Sequence, residues 1–221
     1  MTERRFDEEL KALKERLFTM AGLAEQAVGK SVKALVDRDL KLAKDVIQED
    51  AAINRLEVEI EETCLNLLAR YQPEARDLRM IAMVFKIVND LERVGDQGVN
   101  IGERTQELLK ESLLKPLIDI PKMAVLAQQM LKDSLDAFVN QDAELARSVC
   151  RRDDEVDHLN DQVYRDLLVY MTQDPKTIVR AIDLILVGRH LERVADHATN
   201  IAEDVYYLVR GTTIKHRLAG D

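Results

Sequence analysis

Two acidic pairs carry the clearest chemistry in this sequence. Glu92 and Asp96 form the first pair, and Glu192 and Asp196 form the second. Side chains at i and i+4 stack on one face of a helix, where two like charges destabilise each other by ~0.2–0.5 kcal/mol. Hard cations with oxygen ligands, such as Mg²⁺, Mn²⁺, Ca²⁺ or iron, relieve such crowding. The spacing therefore indicates a candidate cation site.

The two pairs lie inside a longer internal repeat. Residues 90–103 (DLERVGDQGVNIGE) and 190–203 (HLERVADHATNIAE) are identical at eight of fourteen positions, at an offset of 100 residues. A merely solvated helix face is expected to diverge after a duplication, whereas the acids and Asn100 and Asn200 recur. We therefore include the two asparagines among the candidate ligands.

The neighbouring helices supply further oxygen ligands. Asp50 and Asn54 in the second predicted helix, and Asp153 and Asp157 in the fifth, lie beside the apolar stripe at an angle similar to that of the acidic pairs. Equal offsets on antiparallel helices are mirror-related, so the pattern allows these flanks either to converge or to diverge. If they converge, each repeat collects three or four carboxylates and an amide. The full candidate metal set is Asp50, Asn54, Glu92, Asp96, Asn100, Asp153, Asp157, Glu192, Asp196 and Asn200.

Other chemical motifs are scarce. Glu155 and His158 match the Glu-x-x-His spacing of carboxylate di-iron bundles, but such bundles need the motif twice. His197 follows Asp196 and is a candidate additional ligand in the second repeat. The sequence contains no Gly-rich phosphate loop and no nucleophile elbow. We therefore expect a protein that is not an enzyme. A ferritin-like carboxylate metalloprotein and a helical scaffold without a metal role are the alternatives.

Long helices must position these residues. The 221 residues include only 8 Gly and 4 Pro, whereas 46% are hydrophobic, a composition that excludes a disordered chain and disfavours β-sandwiches and barrels. Apolar residues recur at helical spacing in six stretches of roughly 20–38 residues. Helix starts are expected at residues 37–39, at Asp142 and at Asp174 with Pro175, and a helix end is expected at Gly211. Pro73 is expected to end the second helix and to lie in the first turn of the third.

The second helices also match between the halves, at an offset of 103 residues (LAKDV at 42–46 and LARSV at 145–149). The sequence therefore predicts an all-α fold, a tandem duplication of an antiparallel three-helix bundle with six long helices. We place the first bundle at residues 1–114 and the second at 115–221, because two prolines lie between Lys115 and Pro121. Gly98 and Gly102, on the apolar stripe, indicate either close helix packing or clearance for a ligand.

Charge and cysteine content limit the functional class. The formal net charge of −9 argues against a nucleic-acid partner, because such affinity depends on neutralising phosphates. The charged N-terminus does not resemble a signal peptide, and no apolar stretch approaches the ~20 residues that span a bilayer. Two cysteines cannot form a disulfide framework. We therefore expect a cytoplasmic protein.

Residues 91–96 (LERVGD) and 191–196 (LERVAD) resemble the paired signature of the PhoU family of phosphate-uptake regulators. Residues 73–79 (PEARDLR) resemble the family's Pro-x-x-x-Asp-Leu-Arg segment, which opens the third helix. The resemblance covers nearly the whole chain. It implies two three-helix bundles whose Glu/Asp-x-x-x-Asp motifs hold multinuclear metal clusters on the bundle surface.

Carried over by position, the implied metal ligands are Glu92, Asp96, Asp153, Asp157, Glu192 and Asp196. In the second helix the motif has Asn54 after Asp50, so the first site is expected to bind metal more weakly. The metal is expected to be iron, manganese, magnesium or zinc. The resemblance also implies negative regulation of the phosphate-starvation response by a homodimeric cytosolic adaptor. Its partners would be the phosphate ABC transporter and a sensor histidine kinase, so it would be peripheral to the membrane through protein contacts.

Overall fold

Six long α-helices build the molecule. The computed structural model describes the backbone of residues 2–214 and the side chains of residues 5–214. The helices are α1 (Thr2–Asp37), α2 (Leu40–Tyr71), α3 (Ala75–Leu108), α4 (Asp119–Asn140), α5 (Ala143–Gln173) and α6 (Ile178–Arg210), with a short 3₁₀ turn at Pro175–Thr177. The described part of the chain contains no strand. The predicted all-α fold with six long helices is therefore confirmed.

Side-chain caps explain where α2, α5 and the 3₁₀ turn begin. Asp39 accepts a hydrogen bond from the backbone N–H of Leu42 (3.0 Å) at the start of α2. Asp142 accepts from the first turn of α5 at 2.9 and 3.0 Å, and Asp174 caps the 3₁₀ turn (3.0 Å). These bonds satisfy N–H groups that have no partner within the helix. Gly211 ends α6 with φ +70°, as predicted for a C-terminal glycine.

The start of α3 differs from the sequence prediction. Pro73 was expected to open this helix from within its first turn, but α3 begins at Ala75, and Glu74 is the extended N-cap residue with φ −107° and ψ 159°. Gln72 already has the left-handed conformation that ends α2 (φ 45°). Pro73 therefore lies in the connection between the two helices.

The helices form two bundles side by side. Helices α1, α2 and α3 pack together, as do α4, α5 and α6, and α3 lies against α6 between the bundles, with a smaller contact between α1 and α4. Ion pairs run along the α3–α6 seam in antiparallel register, from Lys86–Asp204 (2.8 Å) to Arg104–Asp183 (3.3 Å). The buried apolar side chains of both bundles form one continuous core. The predicted junction at residues 114 and 115 falls between α3 and α4.

Close backbone approach explains the glycines of α3. A Cβ added to Gly98 would lie 3.0 Å from the carbonyl carbon and the Cβ of Ala27 in α1, and one added to Gly102 would lie 3.1 Å from the carbonyl oxygen of Ala43 in α2. Both contacts are tight. Of the two readings, the structure supports close helix packing at both glycines.

Candidate metal centres

The acidic flanks of α2 and α3 converge in the first bundle. Asp50 lies over Gly95, where an added Cβ would be 3.2 Å from Asp50 Oδ1. The charge of Asp96 acts on Asp50, and the charges of Asp96 and Asp50 both act on Glu92. The ambiguity left by the helical pattern is thereby resolved: the two helices direct their carboxylates to the same side of the seam.

One oxygen in this first cluster lacks a hydrogen bond. Asn54 Nδ2 donates to Asp50 Oδ2 (2.8 Å), but Asp50 Oδ1 is buried without a hydrogen-bond partner. Burial is the largest influence that raises the pKa of Asp50, and the charge of Asp96 raises it further. A buried carboxylate oxygen without a partner is unfavourable. A cation at this position would satisfy it.

The second bundle holds the corresponding cluster. Thr199 Oγ1 donates to Asp153 Oδ1 (3.3 Å), and Asn160 Nδ2 donates to Glu192 Oε2. Burial, with the charges of Asp196 and Asp157, raises the pKa of Asp153 to about 6. The acids of α5 and α6 therefore converge as those of α2 and α3 do, and their charged forms are disfavoured in the same way.

Arginine partly offsets the crowding of carboxylates in the first cluster. Arg93 Nε lies 3.4 Å from Glu92 Oε2, and Arg93 Nη1 lies 3.5 Å from Asp96 Oδ2. Burial raises the pKa of Glu92 despite the favourable charge of Arg93. In the second bundle burial raises the pKa of Asp196, while the charges of His197 and Arg193 act to lower it. Both arginines are exposed, so solvent weakens their effect.

The asparagines and histidines of α6 take other positions. Asn200 Nδ2 lies 3.4 Å from Asp90 Oδ1, and His197 Nδ1 donates to the same oxygen (2.9 Å). His190 Nδ1 bonds to Gln97 Oε1 (2.8 Å), and burial lowers the pKa of His190 to about 4. These side chains therefore connect the two bundles across the α3–α6 seam. Asn100 is half-buried at the position equivalent to Asn200.

The structure adds three residues to the clusters that the sequence did not single out. Asn160 and Thr199 bond to carboxylates of the second cluster, and the charge of Glu57 acts on Glu92 in the first. A signal existed for Glu57 and Asn160, because each follows the leading aspartate of its helix by seven residues, or two helical turns. For Thr199 the repeat itself was misleading, because Val99 stands at the matching position.

The donor chemistry fits a hard cation. Each cluster offers carboxylate and amide oxygens, which suit iron, manganese or magnesium, and Asp50 Oδ1 is a buried acceptor without a partner. Zinc is a poorer fit, since Cys64 and Cys150 are buried one in each bundle and His197 is turned to Asp90. Among the side chains of residues 5–214, no three from His, Cys, Asp or Glu are already grouped around one position. The ligand set therefore stays a prediction.

None of the described helices is long and apolar enough to cross a bilayer.

Comparison with known proteins extends the sequence resemblance to the whole chain. A family model described as the PhoU domain matches residues 17–105 and 120–205. A relative from Aquifex aeolicus named phosphate-specific transport system accessory protein PhoU homolog is 45% identical over 209 residues, which are 95% of this chain and 95% of the relative. The phosphate-specific transport system accessory protein PhoU of Escherichia coli is 33% identical over 216 residues, covering 98% of this chain and 89% of that protein.

Solved structures agree in fold. The crystal structure of PhoU from Pseudomonas aeruginosa has a TM-score of 0.90 at 42% identity and covers 94% of this chain and 100% of that one. The phosphate transport system regulatory protein PhoU from Streptococcus pneumoniae has a TM-score of 0.86 at 30% identity, with 94% and 98% coverage. The two family-model matches fall one in each three-helix bundle, as a duplicated domain requires.

Proposed function

Since the chain belongs to the PhoU family, we propose that it is a negative regulator of phosphate uptake and of the phosphate-starvation response. One observation carries this proposal: relatives that match this chain over nearly its full length are named accessory proteins of the phosphate-specific transport system. The proposal gives the protein no catalytic role, in keeping with a family of accessory and regulatory proteins.

The regulator works as an adaptor in this proposal. It links the phosphate ABC transporter to a membrane sensor histidine kinase from the cytoplasmic side, and reaches the membrane through these protein partners. Long helices support such a role, because they present extended faces and grooves to partner helices. A homodimer is the proposed working form, and light scattering tests it: the expected mass is about twice the 25.2 kDa of one chain, and a mass of one chain excludes the dimer.

The two acidic clusters are the proposed metal sites. Asp50, Glu92 and Asp96 in the first bundle, and the corresponding acids in the second, hold the ions, while Arg93 and Arg193 orient the carboxylates beside them. A bound cation supplies positive charge to an otherwise acidic surface and allows the buried carboxylates to stay ionised. Without a metal ion, mutual repulsion keeps these carboxylates apart. When an ion binds, their side chains turn toward it. The convergence of both flanks and the unpartnered Asp50 Oδ1 support this part of the proposal.

The regulatory role is tested by deleting the gene in its own organism. A phosphatase whose expression is normally repressed by phosphate is then assayed in phosphate-rich medium. A negative regulator gives derepression of the phosphatase in the deletion strain, and a plasmid copy of the gene reverses it. Full repression in the deletion strain contradicts the assignment, and points to a helical scaffold with another task.

A further inference from the structure

Helices α2 and α5 carry an amide and a carboxylate in opposite order when the two repeats are aligned. At an offset of 103 residues, most buried positions of α2 correspond to buried positions of α5, as Ile53 and Val156 illustrate. The leading aspartates, Asp50 and Asp153, correspond. At the positions four and seven residues after these aspartates, the first bundle has an amide and then a carboxylate. The second bundle has a carboxylate and then an amide. The corresponding pairs are Asn54 with Asp157 and Glu57 with Asn160.

This exchange keeps the composition of the two clusters equal. With the acidic pairs of α3 and α6, each bundle holds four carboxylates and one amide. The carboxylates are Asp50, Glu57, Glu92 and Asp96 in the first bundle, and Asp153, Asp157, Glu192 and Asp196 in the second.

The position of Glu57 faces the acidic pair of the adjacent helix. At the equivalent position, Asn160 Nδ2 donates a hydrogen bond to Glu192, so this turn of α5 lies against the acids of α6. Glu57 is half-buried and lies about 10.5 Å along the helix from Asp50, nearly in line with it after two turns. Because the repeat places the corresponding turn of α2 against the acids of α3, we assign Glu57 to the first cluster.

A second difference between the repeats concerns the leading aspartates. Thr199 donates to Asp153 Oδ1 at 3.3 Å in the second bundle. Val99 stands at the matching position in the first bundle and has no donor, and there Asp50 Oδ1 is buried without a partner. The first cluster thus contains an acceptor that its own side chains do not satisfy, which makes it no less suited to a cation than the second.

We propose that Glu57 completes the first metal site by supplying the carboxylate that Asp157 supplies in the second. The first site then binds metal no more weakly than the second, although it has Asn54 in the place of Asp157. This inference rests on the proposed metal sites, and it replaces the sequence-based expectation of a weaker first site. It assigns the amides Asn54 and Asn160 equivalent supporting roles.

The test measures Mn²⁺ binding by equilibrium dialysis in a chain whose second site is disabled by Asp157→Asn and Asp196→Asn. In that background, Glu57→Gln is expected to weaken Mn²⁺ binding by about tenfold or more, since loss even of groups that only support metal ligands costs 10–100-fold. The matched control is Glu59→Gln, because Glu59 is exposed on the same helix. The control is expected to leave binding unchanged.

A rescue variant separates ligand loss from a general structural effect. Asn54→Asp combined with Glu57→Asn gives the first bundle the arrangement of the second, and it is expected to restore Mn²⁺ binding close to that of the starting background. Restoration supports the proposal, because a damaged fold would not recover. Failure of the exchange to restore binding, with circular dichroism unchanged, overturns it.

The remaining outcomes distinguish this inference from the proposed function. If Glu57→Gln binds Mn²⁺ as well as Glu59→Gln does, Glu57 is not a ligand, while the metal sites themselves stand. If the unmodified chain binds no more Mn²⁺ than the Asp96→Asn, Asp196→Asn variant, the metal role fails and the assignment of Glu57 fails with it.

Discussion

At the scale of single residues, the crowded carboxylates of the two clusters set the electrostatics: most are half-buried, whereas Asp157 and Asp196 are exposed. Six acids of the two clusters in addition to Asp153 have a pKa raised chiefly by burial: Asp50, Glu57, Glu92, Asp157, Glu192 and Asp196. Without a cation, keeping these groups ionised opposes folding. The groups that destabilise the metal-free chain at neutral pH are therefore the same groups that we propose as metal ligands.

Asp153 is expected to make the stability of the metal-free chain depend on pH. Burial raises its pKa to about 6 from 3.8, so between about pH 4 and pH 6 the folded state binds more protons than the unfolded state. The stability of the metal-free chain is therefore expected to fall as pH rises through this window. Asp153→Asn keeps the acceptor for Thr199 and is expected to stabilise the metal-free chain at neutral pH by on the order of 1–2 kcal/mol.

Urea unfolding with a chelator present measures this effect across the pH range. The control is Asp136→Asn, because Asp136 is exposed on α4 and is expected to change stability by less than ~0.5 kcal/mol. A metal-free Asp153→Asn variant that is less stable than the unmodified chain at neutral pH would contradict the electrostatic account.

The cysteines give a second test at the residue scale. Burial raises the pKa of both Cys64 and Cys150 to about 12, and the thiolate is the reactive form. We expect the native chain to resist a thiol-specific reagent at mildly alkaline pH, and the unfolded chain to release two equivalents of product. Rapid reaction of either cysteine in the native state would show that its bundle opens readily.

At the scale of the helices, close packing of α3 decides the architecture of the first bundle. Gly98→Val is expected to destabilise the chain by about 1–3 kcal/mol, because the added carbons meet the backbone of Ala27. Gly22 is a matched control in α1: an added Cβ there meets no atom within 4 Å, so Gly22→Ala is expected to stabilise the helix by about 0.4–1 kcal/mol. Thermal unfolding measures both. Tolerance of Gly98→Val would mean that α1 and α3 move apart easily.

Helices and their ends could be predicted because they depend on local sequence. The apolar period fixes each helix face, and Asp39, Asp142 and Gly211 mark ends through bonds within one or two turns. The start of α3 was misplaced because Pro73 is compatible both with a first helical turn and with the connection that precedes it. The extended conformation of Glu74 shows that Pro73 lies in the connection and not in the first turn of α3.

The arrangement of the two acidic clusters could be predicted only in part. The repeat singled out Glu92 and Asp96, but whether they meet Asp50 depends on the handedness of helix packing, which periodicity does not contain. Glu57 was missed because its only signal, a spacing of seven residues from Asp50, is common among acids in a chain that is 33% charged. Asn200 was included because it recurs in both repeats, yet it lies against Asp90 at the seam.

At the scale of the whole molecule, the two repeats share one core. The buried side chains of both bundles are continuous, and α3 and α6 are joined by ion pairs and by the His197–Asp90 and His190–Gln97 bonds. We expect a single cooperative unfolding transition. Circular dichroism and the exposure of Cys64 and Cys150, one in each bundle, should report coincident urea midpoints. Two separate midpoints would show that the repeats unfold independently.

Complementation of the deletion strain tests whether the two acidic clusters are needed for the proposed regulation of phosphate uptake. Phosphatase activity in phosphate-rich medium is compared for strains that carry the unmodified gene, the Asp96→Asn, Asp196→Asn variant, and an Asp7→Asn, Asp136→Asn control with one exposed acid changed in each bundle. We expect the unmodified gene and the control to restore repression, and the cluster variant, present at equal amounts, not to restore it. Full repression by the cluster variant would contradict a role of the clusters in this regulation.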